Sequence, residues 1–189
     1  SFTFIFGACV ASFLNVVIYR IPNDLSVVKP DSHCPQCKTP IAWYDNIPCV
    51  SYLILRGQCR HCQVSFSARY WVLEVLGGLI GLGLWVWISP ELQIETIYDS
   101  TLQWLFWQGF VFALLALSLI DFEYLIIPDE ISLFLLILGV SGFGLIEQTE
   151  MINRAIGAVA GGGFLLLVAG IGYLMYRREA MGMGDVKLL

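Results

Sequence analysis

The chain has 189 residues, of which 58% are hydrophobic and 13% charged, against roughly 45–50% and 25% in ordinary soluble domains. That composition excludes a typical soluble globule and a disordered chain, and the mean hydropathy of +0.76 points to a membrane protein. The formal charge of −5, from 10 basic and 15 acidic residues, lacks the basic excess that a nucleic-acid surface needs to hold phosphates, so nucleic acid is not expected as a partner.

Crossing the hydrocarbon core takes about 20 mostly apolar residues. Five stretches approach that length: Phe2 to Tyr19, Trp71 to Ile88, Leu102 to Ile120, Ile131 to Ile146 and Ala155 to Tyr176. The first has no basic segment before it and carries Asn15 inside it, so it reads as a span rather than a secretory signal. The segment from Arg20 to Tyr70 holds Arg20, Lys29, Lys38, Arg56, Arg60 and Arg69, and the tail after Tyr176 holds Arg177, Arg178 and Lys187. The Ser89–Thr101 connection carries three acids and no base. Nine of the ten bases thus share one face, the cytoplasmic one by the positive-inside rule. The amino terminus is then outside. The expected fold class is an all-α polytopic membrane protein, a helical bundle with a small cytoplasmic insertion between the first two spans.

That insertion, residues 20–70, contains Pro22, Pro30, Pro35, Pro40 and Pro48, which favour turns over long helices. It is too small to rest on a large core. Cys34-Pro-Gln-Cys37 and Cys59-Arg-His-Cys62 give C-x2-C twice, with 21 residues between the pairs. Two such knuckles can complete a tetrahedral zinc site. A pair of disulfides is the rival, and the cytoplasmic placement favours Zn2+. Four thiolates leave no open coordination position, so the metal reads as a structural staple rather than a catalytic centre. His33 and His61 read as solvated neighbours of the knuckles, and Cys9 and Cys49, outside any C-x2-C, as buried small hydrophobes.

Ionisable groups beside an apolar run are functional candidates because they are costly at membrane depth. Asp121 directly follows the third apolar stretch, and Asp185 lies in Gly182-Met-Gly184-Asp185-Val-Lys187. Two intervening spans return the chain to its starting face, which places both aspartates at the cytoplasmic end. Two adjacent carboxylates share a proton: the ionised one activates water while the protonated one supplies a proton to a scissile carbonyl. The plainer reading is that each caps a helix or meets interfacial water. Gly182 and Gly184 allow close backbone approach, although membrane-helix glycines also serve ordinary packing. Pro128 interrupts helical continuity before Asp129, favouring a bent or re-entrant segment.

The sequence resembles the bacterial prepilin peptidases, Gly-x-Gly-Asp membrane aspartyl proteases. The resemblance runs through Ala11 to Arg20, both cysteine pairs, Asn46-Ile-Pro with Ser51-Tyr-Leu, Leu55-Arg-Gly, Arg69-Tyr70 with Glu74, Ile120-Asp121 to Ile127-Pro-Asp129, and Gly182 to Lys187. Ala11, Cys49, Gln58 and Trp71 depart from the family's usual residues. The resemblance implies a first helix over 1–19, a cytoplasmic zinc-binding domain over 20–70 and a transmembrane protease core over 71–189, in the bacterial cytoplasmic (inner) membrane. It implies removal of the basic leader of type IV prepilins or pseudopilins after a glycine by Asp121 and Asp185. It also implies N-methylation of the new terminus from S-adenosylmethionine.

By the same resemblance Asp129 is a supporting acid, with capping of the fourth helix as its plain alternative. No Gly-x-Gly-x-x-Gly fingerprint follows a strand, so methyl transfer rests on the resemblance, with Asn15, Arg69 and Glu74 as candidates. Each of these three also has a packing or anchoring reading. Glu123 and Glu130, with the three aspartates, form an acidic cluster suited to a basic leader, unless they are merely solvated loop acids. A peptidase without methyltransferase activity, a proton-coupled transporter and a noncatalytic zinc scaffold are the alternative functions. Residues 183–189 read as the start of a further helix, and the chain as incomplete relative to the family.

Overall fold

The computed structural model describes residues 2–89 and 97–141, together with separate positions between 152 and 167. Five helices appear among them: α1 (Phe2–Arg20), α2 (Val50–Ile54), α3 (Ala68–Ile88), α4 (Ile97–Tyr124) and α5 (Asp129–Ser141). Three of the described segments, Phe2–Asn23, Ala68–Ile88 and Ser100–Tyr124, are long and apolar enough to cross a membrane. The molecule is therefore an all-helical polytopic membrane protein with a cysteine-bearing insertion between its first two membrane helices. Most of the expected fifth span and the expected start of a sixth fall outside the described residues.

The chain forms two compact units, residues 1–116 and 117–189. In the first, α1 and α3 run antiparallel in close contact. Between membrane helices the drive to associate comes from packing, so small residues that let backbones meet are favoured. The sequence supplies them as Gly7 and Ala11 on α1 and Gly77 and Gly81 on α3. A Cβ on Gly77 would collide with the Ala11 Cβ and lie 2.8 Å from the Gly7 carbonyl oxygen. Only glycine fits there.

The first part of α4 joins this pair. Trp104, 2% exposed, donates from Nε1 to the Gly81 carbonyl at 2.8 Å, and its ring meets Phe6 and Trp85. Phe112, Ala113 and Ala116 complete the buried face. Cys9 is exposed and Cys49 half-buried, a correction to the expectation that both are buried hydrophobes. On a membrane helix, an outward Cys9 meets an apolar medium, so lipid satisfies it as a core would.

Residues 21–67 hold no long helix. Arg20 Nη1 and Nη2 donate to the Ser26 and Pro30 carbonyls at 2.9 and 2.7 Å, folding the chain back beneath α1. The buried Ser51 hydroxyl donates to the Tyr44 carbonyl and accepts from the Ile47 amide, which ties the Trp43–Asp45 3-10 turn to α2. After α2 the Arg56 amide bonds the Leu53 carbonyl and the Gly57 amide the Tyr52 carbonyl, a Schellman cap. Gly57 has φ +68° and lies against the Tyr52 ring, so a side chain there would clash as well as strain. Ser67 caps α3 by accepting from the Arg69 amide.

In the second unit the helix continues past the expected end at Ile120. Asp121 sits in the last turn of α4, its carbonyl accepting from the Leu125 amide at 2.9 Å. Leu125 at φ 55° ends the helix, and the chain turns through residues 126–128 into α5. Pro128 thus breaks continuity as its chemistry requires.

Candidate functional site

Each cysteine pair lies in a knuckle closed by the same bonds. In the first, the Lys38 amide donates to the Cys34 carbonyl and the Cys34 amide to the Thr39 carbonyl; in the second, Gln63 donates to Cys59 and Cys59 to Val64. Lys38 and Gln63, one residue beyond each second cysteine, both have positive φ, at 58° and 56°. The two knuckles are a structural repeat whose only visible trace in sequence is C-x2-C itself.

The knuckles face each other. Cys34 Sγ lies 3.7 Å from Cys62 Sγ and Cys37 Sγ 4.0 Å from Cys59 Sγ, with all four sulfurs within 4.8 Å of one another. A tetrahedron with metal–sulfur bonds of roughly 2.3 Å has edges of about 3.8 Å. The four sulfurs are therefore spaced to hold one metal ion, and no disulfide joins them. Cys37 and Cys62 are pushed in opposite directions. Hydrogen bonds from the Thr39 side chain and amide lower Cys37 to about 6. At Cys62 the Val64 amide pulls down, but burial and the three other sulfurs together push it up to about 11. A divalent cation removes this conflict by stabilising all four thiolates.

Arg60, between the second pair, makes a bidentate bond to Asp45 at 2.8 and 2.6 Å and lies over the Tyr44 ring. It fastens this knuckle to the 43–45 turn. His33 Nδ1 lies 2.9 Å from the Asp31 carbonyl and His61 is exposed.

Between the cysteine module and the α1/α3 pair opens a cavity of about 660 Å³. Asn15 of α1 and Glu74 of α3 both line it, beside Tyr52, Trp71 and Lys38. Glu74 is held from behind: its Oε2 accepts from the Cys49 amide at 2.7 Å. Cys49 has φ 62° and ψ −43°, and the Val50 amide reaches the Pro48 carbonyl across it at 2.7 Å. This is a γ-turn with positive φ at its centre, a rare and strained form. Burial, then the charge of Glu74, raise the Cys49 thiol above its usual value. Asn15 makes a long 3.5 Å contact to the Tyr70 carbonyl. Arg69 is in the first turn of α3 and is not among the residues lining the cavity.

In the second unit, Asp121 and Glu123 occupy the last turn of α4, and Asp129 and Glu130 the first turn of α5; all four are exposed. Acids in a first helical turn favour the free amides there. Gly182, Gly184, Asp185 and Lys187 lie outside the described residues.

Residues 5–88 match the bacterial peptidase A24 N-terminal domain, and residues 108–189 match the type IV leader peptidase family. A prepilin leader peptidase/N-methyltransferase from Neisseria gonorrhoeae is 33% identical over 98% of this chain and 70% of its own length. The chain belongs to the type IV leader peptidase family. A protein of the same name from Klebsiella pneumoniae is 33% identical over 100% of this chain and 81% of its own length. One from Myxococcus xanthus is 33% identical over 100% of this chain, which spans only 53% of that relative. No solved structure matches the chain.

The leader-peptidase match divides the candidate residues. Cysteines, Asn15, Arg69 and Glu74 fall in the N-terminal-domain match, and every candidate carboxylate from Asp121 to Asp185 in the second. Nothing in the sequence marks Arg60 or the γ-turn at Cys49 as functional. Ser51 and Gly57 stand inside the motifs shared with the family, but only the fold shows that they shape a cavity wall.

Proposed function

We propose that the protein is a membrane aspartyl endopeptidase that removes the basic leader of type IV prepilins or pseudopilins after a glycine, at the cytoplasmic face of the inner membrane. The observation that carries this is the leader-peptidase match over residues 108–189, which includes both Asp121 and Asp185. Asp121 at the end of a membrane helix suits water activation, since it reaches water while its helix stays in lipid. With one carboxyl ionised and the other protonated, the pair supplies both the base and the acid that amide hydrolysis needs, without a covalent nucleophile. Gly182 and Gly184 leave room for an extended substrate backbone. Lys187 and Asp129 are the supporting or substrate-binding residues of this reading.

The amino terminus lies outside and the cysteine module inside, as the base distribution requires. Zinc is the metal proposed for Cys34, Cys37, Cys59 and Cys62, in a closed site that orders the module and takes no part in hydrolysis. The names of the relatives support a second activity, N-methylation of the exposed amino terminus with S-adenosylmethionine as donor.

The test is leader removal from a prepilin by the purified protein. Asp121→Ala and Asp185→Ala should each lower the rate by at least about 100-fold, the scale of acid–base catalysis. Cleavage retained by both variants defeats the aspartyl mechanism. Glu123→Gln with Glu130→Gln should slow Lys-rich leaders by about three- to tenfold while sparing neutral leaders, an effect that fades with salt. Equal slowing of both leaders removes the charge-attraction idea.

A further inference from the structure

One face of the cysteine module is apolar, uncovered and unused by the proposed chemistry. In α2, Val50, Leu53 and Ile54 recur at the i, i+3, i+4 spacing that puts residues on one side of a helix. All three are exposed, Leu53 at 62% and Ile54 at 70%, and so is Ile47, three residues before Val50. The other side of the same turn is well partnered: Ser51 is buried, and the Tyr52 ring stacks on Trp71 of α3 with centroids 6.2 Å apart. A helical turn with its aliphatic side outward is the reverse of what water selects. Contiguous apolar surface of this kind marks a contact with lipid or with protein.

The anchoring of α2 decides which. With 21 residues at 1.5 Å each, α3 is about 31 Å long, close to the ~30 Å of hydrocarbon it must cross. Little of it is left over to stand in water. Trp71 and Glu74 lie three and six residues past Ala68, about 4 and 9 Å along the axis. Tyr52 meets the first and the Cys49 amide bonds the second at 2.7 Å, so α2 and the turn before it are held level with the opening turns of a membrane helix. At that same depth α3 exposes Val72 and Leu76, apolar residues that lipid must cover. Trp43, 80% exposed in the turn that Ser51 ties to α2, and the exposed Arg56 just after α2 are residue types that membrane interfaces favour.

We propose that α2 is an interfacial membrane anchor: Val50, Leu53 and Ile54 dip into the acyl boundary of the cytoplasmic leaflet, and lipid covers the face that the protein leaves open. Interfacial helices bury their apolar side by about 5–10 Å at this boundary, which agrees with the depth set by Trp71 and Glu74. A five-residue helix is too short to hold a membrane alone, and α2 has no need to, because α1 and α3 already bring both ends of the module to the bilayer. Its contribution is orientation. The four sulfurs close the two knuckles on each other, whereas the lipid contact sets how the module tilts against the membrane. The inference rests on Ala68–Ile88 being a membrane helix and on neither enzymatic activity.

The experiment places the full chain in vesicles of phosphatidylethanolamine and phosphatidylglycerol, with photoreactive benzoylphenylalanine in place of Leu53, Ile54 or Leu79, one at a time. Leu79, exposed midway along α3, is the lipid-facing reference, and an unchanged far-UV helical signal is the folding control. After illumination, labels at Leu53 and Ile54 should carry the added mass of a phospholipid at a yield within about threefold of the Leu79 label. Labels at Leu53 and Ile54 that take up no lipid overturn the anchor. So do labels that instead join two copies of the chain or capture an added prepilin peptide, and those results name the occupant in its place. A second measurement needs no label: Leu53→Gln with Ile54→Gln should speed proteolysis within residues 24–66 at least about threefold in the same vesicles, since two apolar side chains lose their lipid contact. A face that meets water would show no such change, and an unchanged rate overturns the anchor even where a label distorts α2.

Discussion

Two parts of the first compact unit solve the same problem by opposite means. Neither the α1/α3 pair nor the cysteine module has a large core, yet both hold the walls of one cavity. The helices are joined by removing side chains: Gly7, Ala11, Gly77 and Gly81 let backbones touch, and dispersion over that contact replaces a hydrophobic drive that lipid does not provide. The module is joined by adding ligands, four sulfurs around one point with turns fixed by Ser51, Gly57 and Arg60. In lipid, absence of side chain is adhesive. In water, a 47-residue turn-rich segment between Ile21 and Ser67 needs a staple.

The largest expected effect comes from breaking the staple. Cys37→Ser, or exhaustive chelation, should reduce bound metal from one ion per chain to none and open residues 24–66 to proteolysis. The far-UV helical signal should persist, because α1, α3 and α4 do not depend on the sulfurs. Methylation should disappear with the module, whereas the chemical groups proposed for cleavage remain. A metal-free chain whose module resists protease as well as the native one would show that hydrogen bonds alone suffice.

Breaking the helix contact comes next. Gly77→Ala places a Cβ where Ala11 Cβ and Gly7 oxygen already stand, and overpacking of this kind costs about 1–3 kcal/mol. Gly83 is the control: a Cβ there meets nothing within 4 Å. Thermal melts in detergent should show a fall of roughly 3–10 °C for Gly77→Ala and little or none for Gly83→Ala. Equal shifts would mean that helix propensity, not close approach, governs both sites.

The same contrast explains what the sequence made legible. Apolar runs exposed the membrane helices because hydropathy sums over about 20 residues, and C-x2-C exposed the sulfurs because knuckle geometry fixes the spacing. Hydropathy ends the third run at Ile120, one turn short, since a charge at Asp121 interrupts hydropathy without interrupting a helix that continues to Tyr124. Asn15 and Glu74 lie far apart in sequence, and they meet at one cavity only because α1 and α3 run antiparallel. Sequence spacing cannot convey that. Nor does Cys49 announce a strained turn: the chain holds it at positive φ through long-range packing and a bond to Glu74, 25 positions away.

The smallest effect should come from the ion pair that fastens the second knuckle to the 43–45 turn. Hydrogen bonds from Arg60 hold the Asp45 carboxyl below its ordinary value, whereas Arg60 stays charged at every accessible pH. A carboxyl whose pKa is lower in the folded state stabilises that state fully above the unfolded value of about 3.9, and this contribution disappears as pH falls through the folded one. Asp45→Asn should therefore lower the melting temperature slightly at pH 7, by no more than about 4 °C because the Arg60 side chain is half exposed. The difference between wild type and variant should stay flat from pH 8 to about 5 and close below about 4, and high salt should shrink it at neutral pH. Comparing the two proteins at each pH cancels the acid loss of metal that both suffer. A gap that widens on acidification would have the wrong sign for this pair and would assign the stabilisation to packing of the Arg60 guanidinium on Tyr44 instead.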